Sequence, residues 1–473
     1  MTTYKRGYFM WDEWNDDILI TNDMGQFAFL TRDEFSDLMT NKLVDDSETY
    51  NTLLGNGMIY TESDDDFANE WSDTYANRKS CLFTATQLFI VVLTSACNQQ
   101  CVYCQASAGN NVDSMSWDTA RKAIDIAFQS PAYNITIEFQ GGEPTLNAPV
   151  LRESVLYAKQ KAAETGKNLS LAIVTNLTNA DEVLLDWLVE QSVHISSSLD
   201  GTREIHNTNR PMKNGEESYA KFMQGCDMYE QICIRHGIPQ KVQPIQTTTR
   251  HALTYGRQIV DEYLSHGINC LYIRALTPLG CALALWDEIG YTADEYLYYY
   301  CDMLDYMIQC CLAGNYVWEV TASIYLKRIL LNDSVGHTEF RSPCGAGVGQ
   351  MAINHDGNIY TCDEGRMLAA MGDHTFMIGD IENTYDELIR SRVVHATCIS
   401  SCVECLPGCS DCVYSPYCAV CPVVTYGLEN DIISHEPVSA KCAVSKGIIR
   451  YLFELIKRNE SDEMDVLYRW ARS

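Results

Sequence analysis

The sequence predicts an α/β protein in which six strand–helix units form a parallel sheet, flanked by a small N-terminal region and a cysteine-dense C-terminal one. Three observations carry this. Between Gln87 and about Gly280, short β-branched runs alternate with amphipathic helical patterns. At 473 residues the chain is long enough for two or three domains with buried cores. Beyond residue 340, cysteines crowd a stretch with few long periodic elements.

The strands are expected at 88–94, 135–139, 169–175, 194–199, 241–249 and 269–276, in runs such as LFIVVLT and LSLAIVT. Between the first two, a helix after Ser116 places Ala120, Ala123, Ile124, Ala127 and Phe128 on one face, as a core-facing crossover requires. Six such units suit an open doubly wound sheet or an incomplete β/α barrel. In both, chemistry belongs at the C-terminal strand ends. Residues 1–80 read as a separate hairpin followed by helices, with the acidic stretch 61–79 as a linker to a main domain at 81–315. The region 340–445 is expected to be loop-rich and to need metal to hold it, and 446–473 to close the chain as a helix.

Composition narrows the chemistry. Lys plus Arg number 34 against 63 Asp plus Glu, a formal charge of −29, which argues against nucleic acid or an anionic membrane as partner. No apolar run approaches the roughly 20 residues of a membrane span, and the N-terminus lacks a signal pattern, so a cytoplasmic setting is expected. In such a reducing setting, 21 cysteines point to metal or redox chemistry before disulfides.

Cys97, Cys101 and Cys104 follow directly on the first strand in the stretch SACNQQCVYCQAS. A structural zinc site closes with four protein ligands, whereas three cysteines without a fourth suit an iron–sulfur cluster with one iron left open. Zinc or plain thiols remain alternatives on spacing alone.

That spacing, with Tyr103 before the last cysteine, resembles the radical S-adenosylmethionine (radical SAM) enzymes. Gly141-Gly142-Glu143-Pro144 after the second strand matches their GGEP motif, which implies that strand-end backbone and carboxylate hold the methionyl ammonium. Ser198-Leu199-Asp200-Gly201, with His206 and Arg210-Pro211, resembles the SLDG…H…RP stretch of the peptide-modifying branch. This implies that Ser198 and Arg210 contact the methionyl carboxylate or ribose, and that Asn176 lines the same pocket. The resemblance makes the fold a partial (β/α)6 TIM-like barrel.

Downstream, Cys344, Gly357-x4-Cys362, Cys409-x2-Cys412-x5-Cys418-x2-Cys421 and Cys442 resemble the SPASM extension of that superfamily, with two residues before Cys421 where three are usual. The resemblance implies a distal auxiliary cluster on Cys409, Cys412, Cys418 and Cys442 and a nearer one on Cys344, Cys362 and Cys421. The nearer cluster is open to substrate or completed by Cys281, Cys398, Cys402 or Cys405. Asp363, after Cys362, stands where some of these enzymes keep a general base, against the plain reading of a turn aspartate.

As a whole the chain resembles the radical maturase of the His-Xaa-Ser peptide systems, on residues 406–423 and 22–35. This implies S-adenosylmethionine and three [4Fe-4S] clusters as cofactors. It also implies a winged-helix-like element at 1–80 that binds the leader of a precursor peptide, and an external electron donor such as flavodoxin or ferredoxin. The expected activity is modification of a ribosomally synthesised peptide by crosslink, cyclisation or epimerisation. Alternatives are a maturase that oxidises an active-site residue of another protein, and a non-catalytic metal-binding scaffold.

Overall fold

The computed structural model describes residues 4–108, 113–179, 181–333, 336, 338–433 and 439–473. The six expected strands are present as β1 (Leu88–Thr94), β2 (Asn134–Gly141), β3 (Asn168–Val174), β4 (Val193–Ser198), β5 (Gln243–Thr247) and β6 (Cys270–Arg274). They pair in parallel and in chain order. From Phe89 onward β1 is buried on both faces, which is why it reads as a continuous apolar run. Phe89, Val91 and Leu93 join the main core, and Ile90 and Val92 pack with Ala352 on the inner side.

The crossover after Ser116 is the helix Trp117–Gln129, with the Ser116 hydroxyl accepting from the Thr119 amide at 3.1 Å as N-cap. Its five predicted core positions are all buried.

Sequence reading did not foresee how the cysteine-rich region attaches. A further strand, β7 (Trp318–Glu319), extends one edge beside β6. At the other, β8 (Gln350–Ile353) pairs in parallel with β1, in register Gln350↔Leu88, and is followed by antiparallel β9 (Asn358–Tyr360) and β10 (Met377–Asp380). The sheet thus has ten strands in the order β7-β6-β5-β4-β3-β2-β1-β8-β9-β10. Gly357 makes the β8–β9 turn at φ +89°, with its amide on Asn354 O at 2.9 Å. The region is also less loop-rich than expected, with helices Asp363–Ala370, Arg392–Ile399 and Pro422–Glu429.

Two further expectations are corrected. The stretch 61–79 contains the helix Asp64–Arg78, capped by Ser63 and carrying three aspartates in its first turn, where they favour the helix dipole. None of its residues is buried, so it lacks the apolar stripe by which helices are read. In place of one helix over 446–473 there are two, Ala440–Arg458 and Ser461–Ala471, so Cys442 lies in a helical first turn.

The N-terminal region is a three-stranded antiparallel meander (Met10–Trp14, Asp17–Thr21, Phe27–Thr31) with helices Arg32–Met39 and Glu48–Gly55. Ile18, Ile20 and Leu30 enter a local core with Leu38, Leu53 and Ile59. Trp14, also on the meander, packs instead on Tyr414 and Phe453, and Tyr417 donates to Gly25 O at 3.1 Å.

Candidate active site

A cavity of about 460 Å³ opens at the C-terminal half of the sheet, within the ~300–1,000 Å³ usual for small-molecule sites. Every one of the six strands contributes to its wall: Ile90, Glu138, Val174, Ser198, Thr247 and Arg274. A sheet whose inward side chains meet around one space is curved as a partial barrel is. Cys97, Cys101 and Cys104 line the same cavity.

The loop that carries them is held by backbone bonds to the segment after β4, Gln100 N to Pro211 O at 2.8 Å and Val102 N to Asn209 O at 2.9 Å. Burial pushes the Cys97 thiol up to about 11 and the Cys101 thiol to about 12.

Tyr103 and Arg210 meet at Asp200. The Tyr103 hydroxyl donates to Asp200 Oδ2 at 2.6 Å, and Asn209 Nδ2 donates to the same oxygen at 3.1 Å. Arg210 Nε lies 3.1 Å from Oδ1, a contact of charges and not an aligned hydrogen bond, and its guanidinium sits 5.3 Å over the Tyr103 ring. Burial opposes the cation, but Asp200 and Tyr103 hold the Arg210 pKa above its ordinary value. His206 is buried and stacked on Phe222, and burial lowers its pKa to about 4, so it is a neutral structural ring.

Gly141 and Gly142 line the cavity, and Glu143 does not. The Gly142 amide donates to Thr94 O and the Glu143 amide to Ala96 O, both at 2.8 Å. A Cβ on Gly142 would stand 2.3 Å from Ala96 O, so only glycine lets this ledge close on the cysteine loop. The Glu143 carboxylate is fully buried and accepts from Thr145 N and Oγ1, Thr175 Oγ1 and Asn176 N, at 2.7–3.1 Å. Burial raises its pKa against those donors. Through these bonds the Glu143 carboxylate joins the ends of β2 and β3. Pro144 is buried at the start of a short 3-10 helix, away from the cavity. Asn176 faces in, donating to Asn98 Oδ1 at 2.7 Å with Cys97 Sγ at 3.9 Å.

In the C-terminal region, Cys344, Cys362 and Cys421 share one apolar cluster and influence one another's ionisation. Cys409, Cys412, Cys418 and Cys442 line a second cavity of about 40 Å³. Of the cysteines considered for completing the first set, Cys281 sits beside Cys104, its amide on Cys104 O at 2.9 Å. Cys398, Cys402 and Cys405 neighbour one another.

Asp363 lines the main cavity, but its Oδ1 accepts from Arg366 Nε at 2.8 Å and Nη2 at 2.6 Å. Sequence reasoning missed Asp200 as a hub, and it missed Glu138, Arg274 and Glu339 in the cavity wall. For Glu138 and Arg274 the signal was available, since both lie on the inward face of a predicted strand. Burial first, then Asp363 and Glu339, raise the Glu138 pKa. Arg274 pairs with Glu339 at 3.2 Å.

Residues 91–239 match the model of the radical SAM superfamily. A stretch of 189 residues is 31% identical to an uncharacterized protein of Methanocaldococcus jannaschii, covering 40% of this chain and 62% of that one, so the chain spans less than two thirds of that relative's length. The cysteine-type anaerobic sulfatase-maturating enzyme of Clostridium perfringens is 27% identical over 295 residues, 58% of this chain and 74% of that enzyme. Among solved structures, native anSMEcpe with bound AdoMet superposes with a TM-score of 0.67 at 19% identity, over 81% of this chain and 99% of that one. Streptococcus suis SuiB bound to precursor peptide SuiA superposes with a TM-score of 0.53 at 11% identity, over 91% and 98%. These structural likenesses concern the fold.

The residues fit the cofactors of this superfamily. The first triad offers three thiols to one cavity and no fourth beside them on the loop, leaving an iron position for S-adenosylmethionine. Among the described residues no three metal-ligating side chains converge on a single-ion position. Thiols set around a space suit a cluster better than a lone zinc ion. Among the described residues no helix is long and apolar enough to cross a membrane.

Proposed function

We propose that the chain is a peptide-modifying radical SAM enzyme with two auxiliary iron–sulfur clusters in a SPASM-type region. The observation that carries it is the single cavity shared by the Cys97–Cys101–Cys104 loop, the Gly141–Gly142 ledge and side chains from all six strands. When bound, a cluster on the triad supplies the electron that cleaves S-adenosylmethionine to a hydrogen-abstracting radical.

The chain's own residues bind and orient. The Gly142 ledge fixes the cysteine loop against β2, Asn176 and Ser198 offer polar contacts, and Arg210, held by Asp200, presents a fixed cation for a carboxylate or ribose. Of the carboxyl groups that line the cavity, Glu138, Glu339, Asp363 and Glu364, we take Asp363 and Glu138 as the candidates to accept a proton, Glu138 with a pKa raised by burial. Cys344, Cys362 and Cys421 would hold the nearer auxiliary cluster, and Cys409, Cys412, Cys418 and Cys442 the distal one.

The peptide reading draws on the N-terminal region. The SuiB fold covers about a tenth more of this chain than anSMEcpe does (91% against 81%), and a sheet with exposed strand edges at residues 10–31 is suited to adding a leader strand. A second reading, oxidation of a Cys or Ser in another enzyme, draws on the sequence likeness to sulfatase-maturating enzymes.

The test is anaerobic incubation of the reconstituted chain with S-adenosylmethionine, reductant and either a small peptide encoded beside this gene or a synthetic sulfatase active-site peptide. A mass change in the first supports the leading reading, and oxidation of the second alone replaces it.

A further inference from the structure

Four cations crowd a small cavity of about 30 Å³ between the helix Asp64–Arg78, the helix Val320–Leu330 and the segment 415–418. They are Arg78, Lys79, Arg328 and Arg341, facing two carboxylates, Asp23 and Glu404. Lys79 pairs with Glu404. The three guanidinium groups form no ion pair with any carboxylate among the described residues. Arg328 is 9% exposed and gives Nη1 to Tyr417 O at 2.7 Å. Arg78 gives Nη1 to Asn332 Oδ1 and Nη2 to Pro416 O, both at 2.5 Å. Arg341 is 7% exposed and its Nε has no hydrogen-bond partner.

Enclosed cations without a counter-charge are costly, and such a cluster persists where an anion sits alongside. The wall of this cavity supplies the place for one. Cys418 lines it, and Cys418 also lines the neighbouring cavity formed with Cys409, Cys412 and Cys442. Four thiolates around a four-iron, four-sulfide core carry net negative charge, and each one-electron reduction adds one more. We infer that Arg328, with Arg78, is the counter-charge of the cluster held by Cys409, Cys412, Cys418 and Cys442, and raises its reduction potential. The inference rests on the ligand set proposed above. Because Arg78 ends the helix that leaves the N-terminal region, the same contact ties that region to the cluster.

The experiment is a potentiometric titration, followed by electron paramagnetic resonance, of full-length chain reconstituted with iron and sulfide. Wild type is compared with Arg328→Met, Arg328→Lys and Arg78→Met. The signal of the distal cluster is the one missing from Cys412→Ala. A shift of that signal alone to more negative potential in Arg328→Met, largely recovered in Arg328→Lys, is expected, with a smaller shift in the same direction in Arg78→Met. Loss of this cluster's iron in Arg328→Met with retention in Arg328→Lys supports the same charge requirement. An unchanged potential at full iron content, or an equal shift in Arg328→Lys, overturns it. If Cys412→Ala leaves the iron content of the chain unchanged, the ligand assignment itself has failed, and the counter-charge argument falls with it.

Discussion

The Tyr103 hydroxyl and Asp200 Oδ2 meet at 2.6 Å inside the barrel, joining the cysteine loop after β1 to the end of β4. The same carboxylate takes Asn209 Nδ2, the Thr247 amide and the charge of Arg210, so one buried group orients the loop, the wall of the cavity and its cation. Asp200→Ala leaves Arg210 buried and unpaired, and breaking such a pair costs about 3–5 kcal/mol. Tyr103→Phe removes one hydrogen bond to the charged group, about 2 kcal/mol. Urea unfolding of the two variants checks the order.

The proposed ligand sets predict variants that differ in function and in iron. Cys101→Ala is expected to lower iron by about 4 per chain from about 12, and to abolish S-adenosylmethionine cleavage. Cys412→Ala is expected to lower iron by a similar amount while cofactor cleavage persists. Iron analysis with 5′-deoxyadenosine quantified on the same samples separates them.

Gly142 is where the ledge meets the loop. Gly142→Ala places a methyl group against Ala96 O, and crowding of this kind costs roughly 1–3 kcal/mol. If the ledge moves to relieve it, S-adenosylmethionine binds about tenfold more weakly. Isothermal titration calorimetry of the reconstituted variant reads that change.

Glu319 gives the chain a pH-dependent stability outside the active site. Its carboxyl is fully buried, accepts from Ile273 N at 3.0 Å and Ala322 N at 2.7 Å with Tyr300 also donating, and is raised by burial to about 7 from 4.5. Between those two values the folded chain holds more proton than the unfolded one. Stability from this group is therefore greatest below about pH 4.5, falls as pH rises toward 7, and is level above. The total is on the order of 3 kcal/mol. The difference in unfolding free energy between wild type and Glu319→Gln, followed from pH 5 to 8, should show this slope. A flat difference contradicts it.

Deleting the N-terminal region is a poor test of peptide binding. Trp14 packs on Tyr414 and Phe453, and Thr21 Oγ1 donates to Val413 O at 2.7 Å, so truncation uncovers the cysteine-rich region. Substitution on an exposed strand edge is the sounder route: Trp11, 49% exposed, changed to Ala should weaken leader binding without lowering iron content.

The sheet was legible because β1 is buried on both faces and spells a continuous apolar run, because the later strands alternate buried with partly exposed residues, and because the crossover helix has a clear apolar stripe. The first triad was legible because Cys97, Cys101 and Cys104 fall within one short loop, whereas the two downstream sets, which draw on cysteines as far apart as Cys344 and Cys421, came from the resemblance. The β1–β8 pairing was not, since Gln350–Ile353 is four residues long and its partner lies more than 250 residues away. The helix Asp64–Arg78 escaped because it buries nothing. Asp200 as a hub escaped for a different reason. Its partners Tyr103, Asn209, Arg210 and Thr247 come from three segments, and only the folded chain brings them to one carboxylate. The fate of Glu143 was equally hidden, because a motif names the residue and not the donors that enclose it.

The measurement that bears most directly on this account is 5′-deoxyadenosine release from anaerobically reconstituted chain given S-adenosylmethionine and a strong reductant, with iron, sulfide and zinc quantified together. The account predicts release with about 12 iron per chain, and none from Cys101→Ala. Zinc in place of iron with no release, or release that survives Cys101→Ala, contradicts it.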